Sequence, residues 1–117
     1  MFTDYQKLQI AQHNNKITGY MGKDVRSDSR LTISQIRIAG LLVGFAVYLN
    51  RDNFTLSYSQ IMSLMPEFSL STIKRAVKNL ERCNYLKIEK INKVGCHYTL
   101  MCMIPKEENE NNAIMYN

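Results

Sequence analysis

The sequence predicts a mainly helical α+β domain in which a long helix, a short strand and two further helices are followed by a β-hairpin. The helices are indicated by capping residues that stand before apolar stretches and by the Pro and Asn residues that follow them. The hairpin is indicated by a change from helical to alternating apolar periodicity at Tyr85. The length of 117 residues fits one domain, and the 45% apolar and 21% charged residues are ordinary globular proportions.

The chain is divided into three parts by its sequence. Residues 1–30 predict an N-terminal arm or dimerisation segment with one short element, because two asparagines and two glycines interrupt the helix face started by Tyr5 and Leu8. The folded domain is expected over residues 31–104. Residues 105–117 are rich in Glu and Asn and predict a flexible acidic tail.

The first long helix is predicted over residues 33–49. Thr32 and Gln35 have capping-box spacing, which satisfies backbone donors at a helix start. Beyond Arg37 the helix is apolar on nearly every face, which implies burial from more than one side. Either residues 1–30 or a second copy of the chain must therefore cover it.

The elements that follow are short and begin after a polar turn at residues 50–53. Residues 54–56 predict a strand. Ser57 and Gln60 repeat the capping-box spacing and predict a second helix. Pro66 ends this helix because proline has no backbone N–H to donate.

A third helix is predicted from its candidate caps Ser69 and Ser71 to about Cys83. Asn84 follows it, at a position where a left-handed conformation often ends a helix. Alternating apolar residues then predict strands over 85–91 and 96–104, joined by a turn at residues 92–95.

The positive charge of the chain is concentrated in one region. Fifteen Lys and Arg residues against ten acids leave a net charge of +5. Residues 69–95 alone hold seven basic and two acidic residues, which is also +5, whereas residues 1–68 carry +2 and residues 96–117 carry −2. A localised basic patch favours an anionic partner such as nucleic acid.

The third helix has two opposite faces, each within an arc of roughly 100° at 100° per residue. The apolar face comprises Ile73, Ala76, Val77 and Leu80. The opposite face comprises Ser71, Lys74, Arg75, Lys78 and Arg82. Such a helix fits the DNA major groove, which is about 12 Å wide, although a basic face that is merely solvated is the alternative. The hairpin adds Lys87, Lys90 and Lys93.

The stretch of residues 69–81, SLSTIKRAVKNLE, resembles the recognition-helix pattern of bacterial winged helix-turn-helix domains, S-x-x-T-[VI]-x-R-[AH]-[VIL]-x-x-L-[EV]. In such domains a short stop and an apolar pair follow the helix. Here the pair is Tyr85-Leu86, and Asn84 stands at the stop, where those domains most often have Gly. The segments LTIS at 31–34 and SYSQI at 57–61 also match.

This resemblance covers about residues 31–100 and is to the domains of phage and plasmid replication initiators and of small prokaryotic regulators. It implies a three-helix core with a β-hairpin wing. The chain departs from the pattern at Pro66-Glu67-Phe68, where such domains often have a Gly-containing turn.

The resemblance implies a role for each residue of the basic region. Ser71 and Thr72 would open the recognition helix and contact phosphate or base edges. Arg75 would make a bidentate contact to guanine, pack back on the domain or touch phosphate. The complete set of implied DNA-binding residues is Ser69, which also caps the helix, with Ser71, Thr72, Lys74, Arg75, Lys78, Arg82, Lys87, Lys90 and Lys93.

Other functional classes are not supported by the sequence. The two histidines stand in no recognised catalytic arrangement and the five glycines form no phosphate-binding loop, so we expect no enzyme and no cofactor. We also expect no metal site, because adjacent strand residues such as Cys96 and His97 point to opposite faces. Cys83, Cys96 and Cys102 lack CxxC spacing, which favours a reduced, cytoplasmic protein.

A membrane partner is not expected either. The apolar run over residues 38–49 is shorter than the ~20 residues that a transmembrane helix needs. The N-terminus also lacks a basic-then-apolar signal pattern.

The predicted function is double-stranded DNA binding. A small transcriptional regulator is the favoured biological use, and a replication-initiation or maintenance protein of a phage or plasmid is the alternative. A second alternative, from a different class, is a winged-helix module that binds an acidic protein instead of DNA. A homodimer is expected, because a second copy would cover the apolar helix and twofold symmetry suits paired DNA half-sites.

Overall fold

The computed structural model describes residues 2–14, 23–92 and 95–101. Within these ranges the chain is a mainly helical α+β protein with five helices and a three-stranded antiparallel sheet. The elements are α1 (Asp4–His13), α2 (Lys23–Arg26), α3 (Ile33–Leu49), β1 (Asn53–Leu56), α4 (Tyr58–Leu64), α5 (Leu70–Arg82), β2 (Leu86–Asn92) and β3 (Gly95–Leu100). From α3 onward this order confirms the predicted one.

Capping boxes start α1, α3 and α4. At α3 the Thr32 hydroxyl accepts a hydrogen bond from the backbone N–H of Gln35, and the Gln35 side chain accepts one from the backbone N–H of Thr32, each at 3.1 Å. Ser57 and its N3 glutamine make the same pair of bonds at α4. These two helix starts are as predicted. The matching pair Thr3 and Gln6 at α1 was not predicted, although its spacing is identical.

Two asparagines adopt the left-handed conformation where helices end. Asn84 has a φ of 65° after α5, as the sequence predicted. Asn50 has a φ of 56° after α3, where only a polar turn was expected. Asn tolerates this conformation because its short polar side chain bonds locally, and both turns redirect the chain into a strand.

The sheet has the strand order β1-β3-β2, and its inner face packs on the helices. Phe54 of β1 and the alternate β3 residues Cys96, Tyr98 and Leu100 are buried. His97 lies on the opposite face and its Nδ1 is 2.9 Å from the Thr55 hydroxyl. Cys96 and His97 therefore point to opposite sides of the sheet, as their adjacency predicted.

The centre of the core is α3. Its buried residues cover more than one side of the helix, as the apolar sequence predicted, and include Ile38, Ala39, Leu41, Leu42, Val43, Phe45 and Ala46. The Phe45 ring packs edge-on against Phe54 of β1, with 4.9 Å between ring centroids. The helix also packs against α5 and α1.

The N-terminal segment contributes two helices and part of the core, where one short element was expected. Leu8 and Ala11 of α1 are fully buried. The Asp4 carboxylate binds the Arg51 guanidinium at 2.6 Å and accepts the backbone N–H of Thr55 at 2.7 Å. Residues of the same chain therefore cover α3, which was one of the two predicted possibilities. Residues 105–117 lie outside the described part of the chain.

A second set of polar contacts holds the segment between α2 and α3. The Asp28 carboxylate accepts hydrogen bonds from the side chain and backbone of Arg30 and from the hydroxyl of Tyr85. The Arg30 bonds, with a smaller contribution from Tyr85, hold the pKa of Asp28 well below its usual value of 3.8. Burial raises the pKa of Tyr85, and its hydrogen bond to Asp28 adds to this.

We expect Leu8→Ala to lower the free energy of unfolding by about 2–5 kcal/mol, because it leaves a cavity where α1 meets the core. Urea denaturation measures this change. Ile33→Ala is the matched control, since the Ile33 side chain is 79% exposed, and we expect it to change the free energy by less than about 0.5 kcal/mol. Equal, small effects of the two substitutions would show that α1 is not docked on the core.

The contacts of Asp28 with Arg30 and Tyr85 make the stability of the fold depend on pH. Because the pKa of Asp28 is lowered on folding, its carboxylate stabilises the fold above its unfolded value of 3.8, and this contribution is lost as the pH falls through the lower folded value. We expect Asp28→Asn to be less stable than the native chain at about pH 7 and the difference to shrink below about pH 4. Denaturation at about pH 7 and at a pH below about 4 tests this. Asp24→Asn is the control for the loss of one negative charge.

Candidate nucleic-acid interface

Helix α5 divides into a buried and an exposed face. Its four buried residues are those of the predicted apolar face, Ile73, Ala76, Val77 and Leu80. The predicted polar face is exposed at all five positions, Ser71, Lys74, Arg75, Lys78 and Arg82. We call these five residues the basic face. Helices α3 and α4 pack against α5 and orient the basic face towards solvent.

Hydroxyl groups gather where α5 begins. Ser69 caps the helix, since its hydroxyl accepts the backbone N–H of Thr72 at 3.2 Å. The same oxygen lies 3.0 Å from the Ser71 hydroxyl and 2.9 Å from the Thr72 hydroxyl. Ser69 therefore has the predicted capping role, and the structure brings the three predicted hydroxyls together at the helix N-terminus.

Three of the predicted cations already contact other side chains. The ammonium group of Lys74 lies 5.9 Å from the centre of the Tyr58 ring on α4. The Tyr58 ring is neutral at pH 7, because the ordinary pKa of its hydroxyl is 10.0 and burial raises the pKa further. Arg82 donates to the side-chain oxygen of Asn79. Lys87 forms an exposed ion pair with Glu89 at 3.7 Å, which contributes little energy.

Three other predicted cations are exposed and have no ion pair with any residue in the described ranges. They are Arg75 and Lys78 on α5 and Lys90 on β2. Positive groups without intramolecular partners are those an external anion neutralises at least cost, because no existing ion pair has to be broken. Lys93, the remaining predicted cation, lies outside the described residues.

The turn between α4 and α5 is fixed on α3 through residues where the pattern of winged domains often has glycine. The Arg37 guanidinium binds the Glu67 carboxylate at 2.7 Å and lies 5.1 Å from the centre of the Phe68 ring. The departure Pro66-Glu67-Phe68 therefore supplies contacts to α3 that glycine lacks.

Two residues that position α5 were not predicted. The Asn79 amide donates to the backbone carbonyl of Arg30 at 3.0 Å and to the side-chain oxygen of Gln35 at 2.8 Å. A Glu81 carboxylate oxygen accepts the backbone N–H of Ile88 at 2.9 Å and so joins α5 to the hairpin. Their only sequence signal is a polar residue at the border between the two helix faces.

Neither a metal centre nor a membrane span is found in the described part of the chain. In residues 2–14, 23–92 and 95–101 no three His, Cys, Asp or Glu side chains gather in a way that holds a metal ion. In the same ranges every helix is too short or too polar to cross a membrane. Cys83 and Cys96 are buried free thiols, and Cys102 lies outside the described residues.

We expect Asn79→Ala to lower the free energy of unfolding by about 1–3 kcal/mol, because its hydrogen bonds to the Arg30 carbonyl and the Gln35 side chain are lost and Gln35 is buried. Lys78→Ala, on the exposed side of the same helix, is the control and should change it by less than about 0.5 kcal/mol. Urea denaturation of both variants measures the difference. If the two substitutions have the same small effect, Asn79 does not fix α5.

Comparison with protein-family models, curated proteins and solved structures finds no match for this chain. Its fold and its candidate interface are therefore inferred from the residues of this chain alone. The structure establishes a mainly helical α+β protein that presents a helix with a buried apolar face and an exposed basic face, an architecture that is compatible with a winged helix.

Proposed function

We propose that this protein binds double-stranded DNA as a winged helix-turn-helix domain, with α5 as its recognition helix and the β2–β3 hairpin as its wing. The observation that carries the proposal is the basic face of α5, which is exposed along the helix while the opposite face is fully buried. An α-helix that projects cations in this way fits the major groove.

Affinity would come mainly from neutralised phosphates, and sequence choice from α5. Arg75 and Lys78 are the side chains we place in the groove, because they are exposed and have no ion pair in the described part of the chain. Ser71 and Thr72 would donate from the helix start. Lys90 and Lys87 on the hairpin would contact the backbone and position the domain.

A small transcriptional regulator is the biological use that we favour. A replication or maintenance protein of a phage or plasmid has the same DNA-binding requirement, and mapping of bound sites to promoters or to repeated origin elements separates the two. Because α1 already covers α3, a second copy is not needed to bury that helix. The proposed homodimer therefore depends on the twofold symmetry of paired half-sites, and the mass of the DNA complex tests it.

DNA affinity should fall steeply with salt, with a log–log slope that corresponds to about four to seven phosphate contacts at roughly −0.9 each. Arg75→Ala and Lys78→Ala should each weaken binding. For a variant that loses a phosphate contact, the log–log slope should also become shallower by about 1. Fluorescence anisotropy with a labelled duplex across a salt series measures both quantities.

Lys7→Ala is the matched control, because it removes one positive charge from α1 rather than from α5. We expect it to leave the affinity within about twofold of the native value, because Lys7 is not one of the proposed interface residues and 0.1 M salt screens long-range interactions between charges. Absence of duplex binding at low salt would refute the proposal, and an acidic protein would then become the partner to seek.

A further inference from the structure

The basic face of α5 holds more positive charge than the described residues neutralise. It carries four cations, of which Arg75 and Lys78 have no ion pair in the described ranges, while Lys74 and Arg82 contact only the uncharged groups of Tyr58 and Asn79. Such a face attracts any anionic segment that is tethered nearby.

The chain leaves the sheet close to the C-terminal end of α5. The backbone N–H of Met101, which directly follows β3, donates to the carbonyl of Tyr85 at 2.7 Å. The backbone N–H of Tyr85 in turn donates to the carbonyl of Leu80 on α5 at 2.9 Å. Two successive hydrogen bonds therefore connect Met101, through Tyr85, to the last turn of α5, which also contains Arg82.

The residues after Met101 have the charge and the length to reach the basic face. Glu107, Glu108 and Glu110, which we call the acidic segment, follow Lys106. The six residues from Met101 to the first of these glutamates span at most about 20 Å when extended. Helix α5, with 13 residues, is also about 20 Å long, so the length of this tether is comparable with the length of the basic face.

We propose that the acidic segment is an intramolecular ligand of the basic face and competes there with external polyanions. The consequence for DNA rests on the function proposed above, whereas the contact itself does not. A tethered segment acts at an effective concentration on the order of 1 mM. Because each exposed carboxylate–cation pair is weak, the contact should be reversible and sensitive to salt.

The contact is tested on the full chain by ¹⁵N nuclear magnetic resonance. The triple variant Glu107→Gln, Glu108→Gln and Glu110→Gln removes the three charges at constant side-chain size. We expect the backbone amide signals of residues 74–82 to differ from those of the native chain at about 20 mM salt and to coincide with them at about 0.5 M salt, where screening falls to a few ångströms.

The matched control replaces the neighbouring neutral residues, as Asn109→Ala, Asn111→Ala and Asn112→Ala, and should leave the α5 signals in place. Unchanged α5 signals in the glutamine variant at low salt would overturn the proposal. Equal changes in both variants would overturn it as well, since the effect would then not depend on charge.

A duplex titration of the same proteins separates this inference from the proposed function. With the acidic segment neutralised we expect about threefold to tenfold tighter binding at low salt and equal binding at high salt. Changed α5 signals without any DNA binding would support the intramolecular contact and refute the DNA function. DNA binding with unchanged α5 signals would support the function and refute the contact.

Discussion

The burial of α3 is the constraint on which the rest of the structure depends. This helix is apolar on nearly every side, so it is stable only when other elements surround it. Helix α5 packs on it, the sheet contributes Phe54 against its Phe45, and α1 packs on it with two fully buried side chains. Each element that carries a candidate functional residue is thereby held by contact with α3 or with a neighbour of α3.

The orientation of α5 follows from this core together with a few polar contacts at its borders. Arg37 of α3 holds the turn before α5 through Glu67 and Phe68. Asn79 fixes the other end of the helix to the start of α3, and Glu81 connects it to β2. The polar groups that set the helix direction are thus distinct from Arg75 and Lys78, which project away from the fold. Substitutions on this one helix can consequently test stability and the proposed binding separately.

Much of the fold from residue 31 onward was predictable because its signals are local. The pairs Thr32–Gln35 and Ser57–Gln60 define helix starts within four residues of chain, and the two faces of α5 follow from helical periodicity alone. The docking of α1 was not predictable in this way. Its helix buries only two side chains, and the contacts of Asp4 are with residues about fifty positions away. The roles of Asn79 and Glu81 likewise arise only when distant elements meet.

The carboxylates of Asp4 and Glu81 also cover backbone donors at the two edges of the sheet. Because the strand order is β1-β3-β2, β1 and β2 are the two edges of the sheet. Asp4 occupies an edge N–H of β1 at Thr55, and Glu81 occupies an edge N–H of β2 at Ile88. Exposed edge donors are the groups through which sheets of separate chains join and aggregate. By placing a charged acceptor on each edge, the two helices oppose growth of the sheet from one molecule to the next.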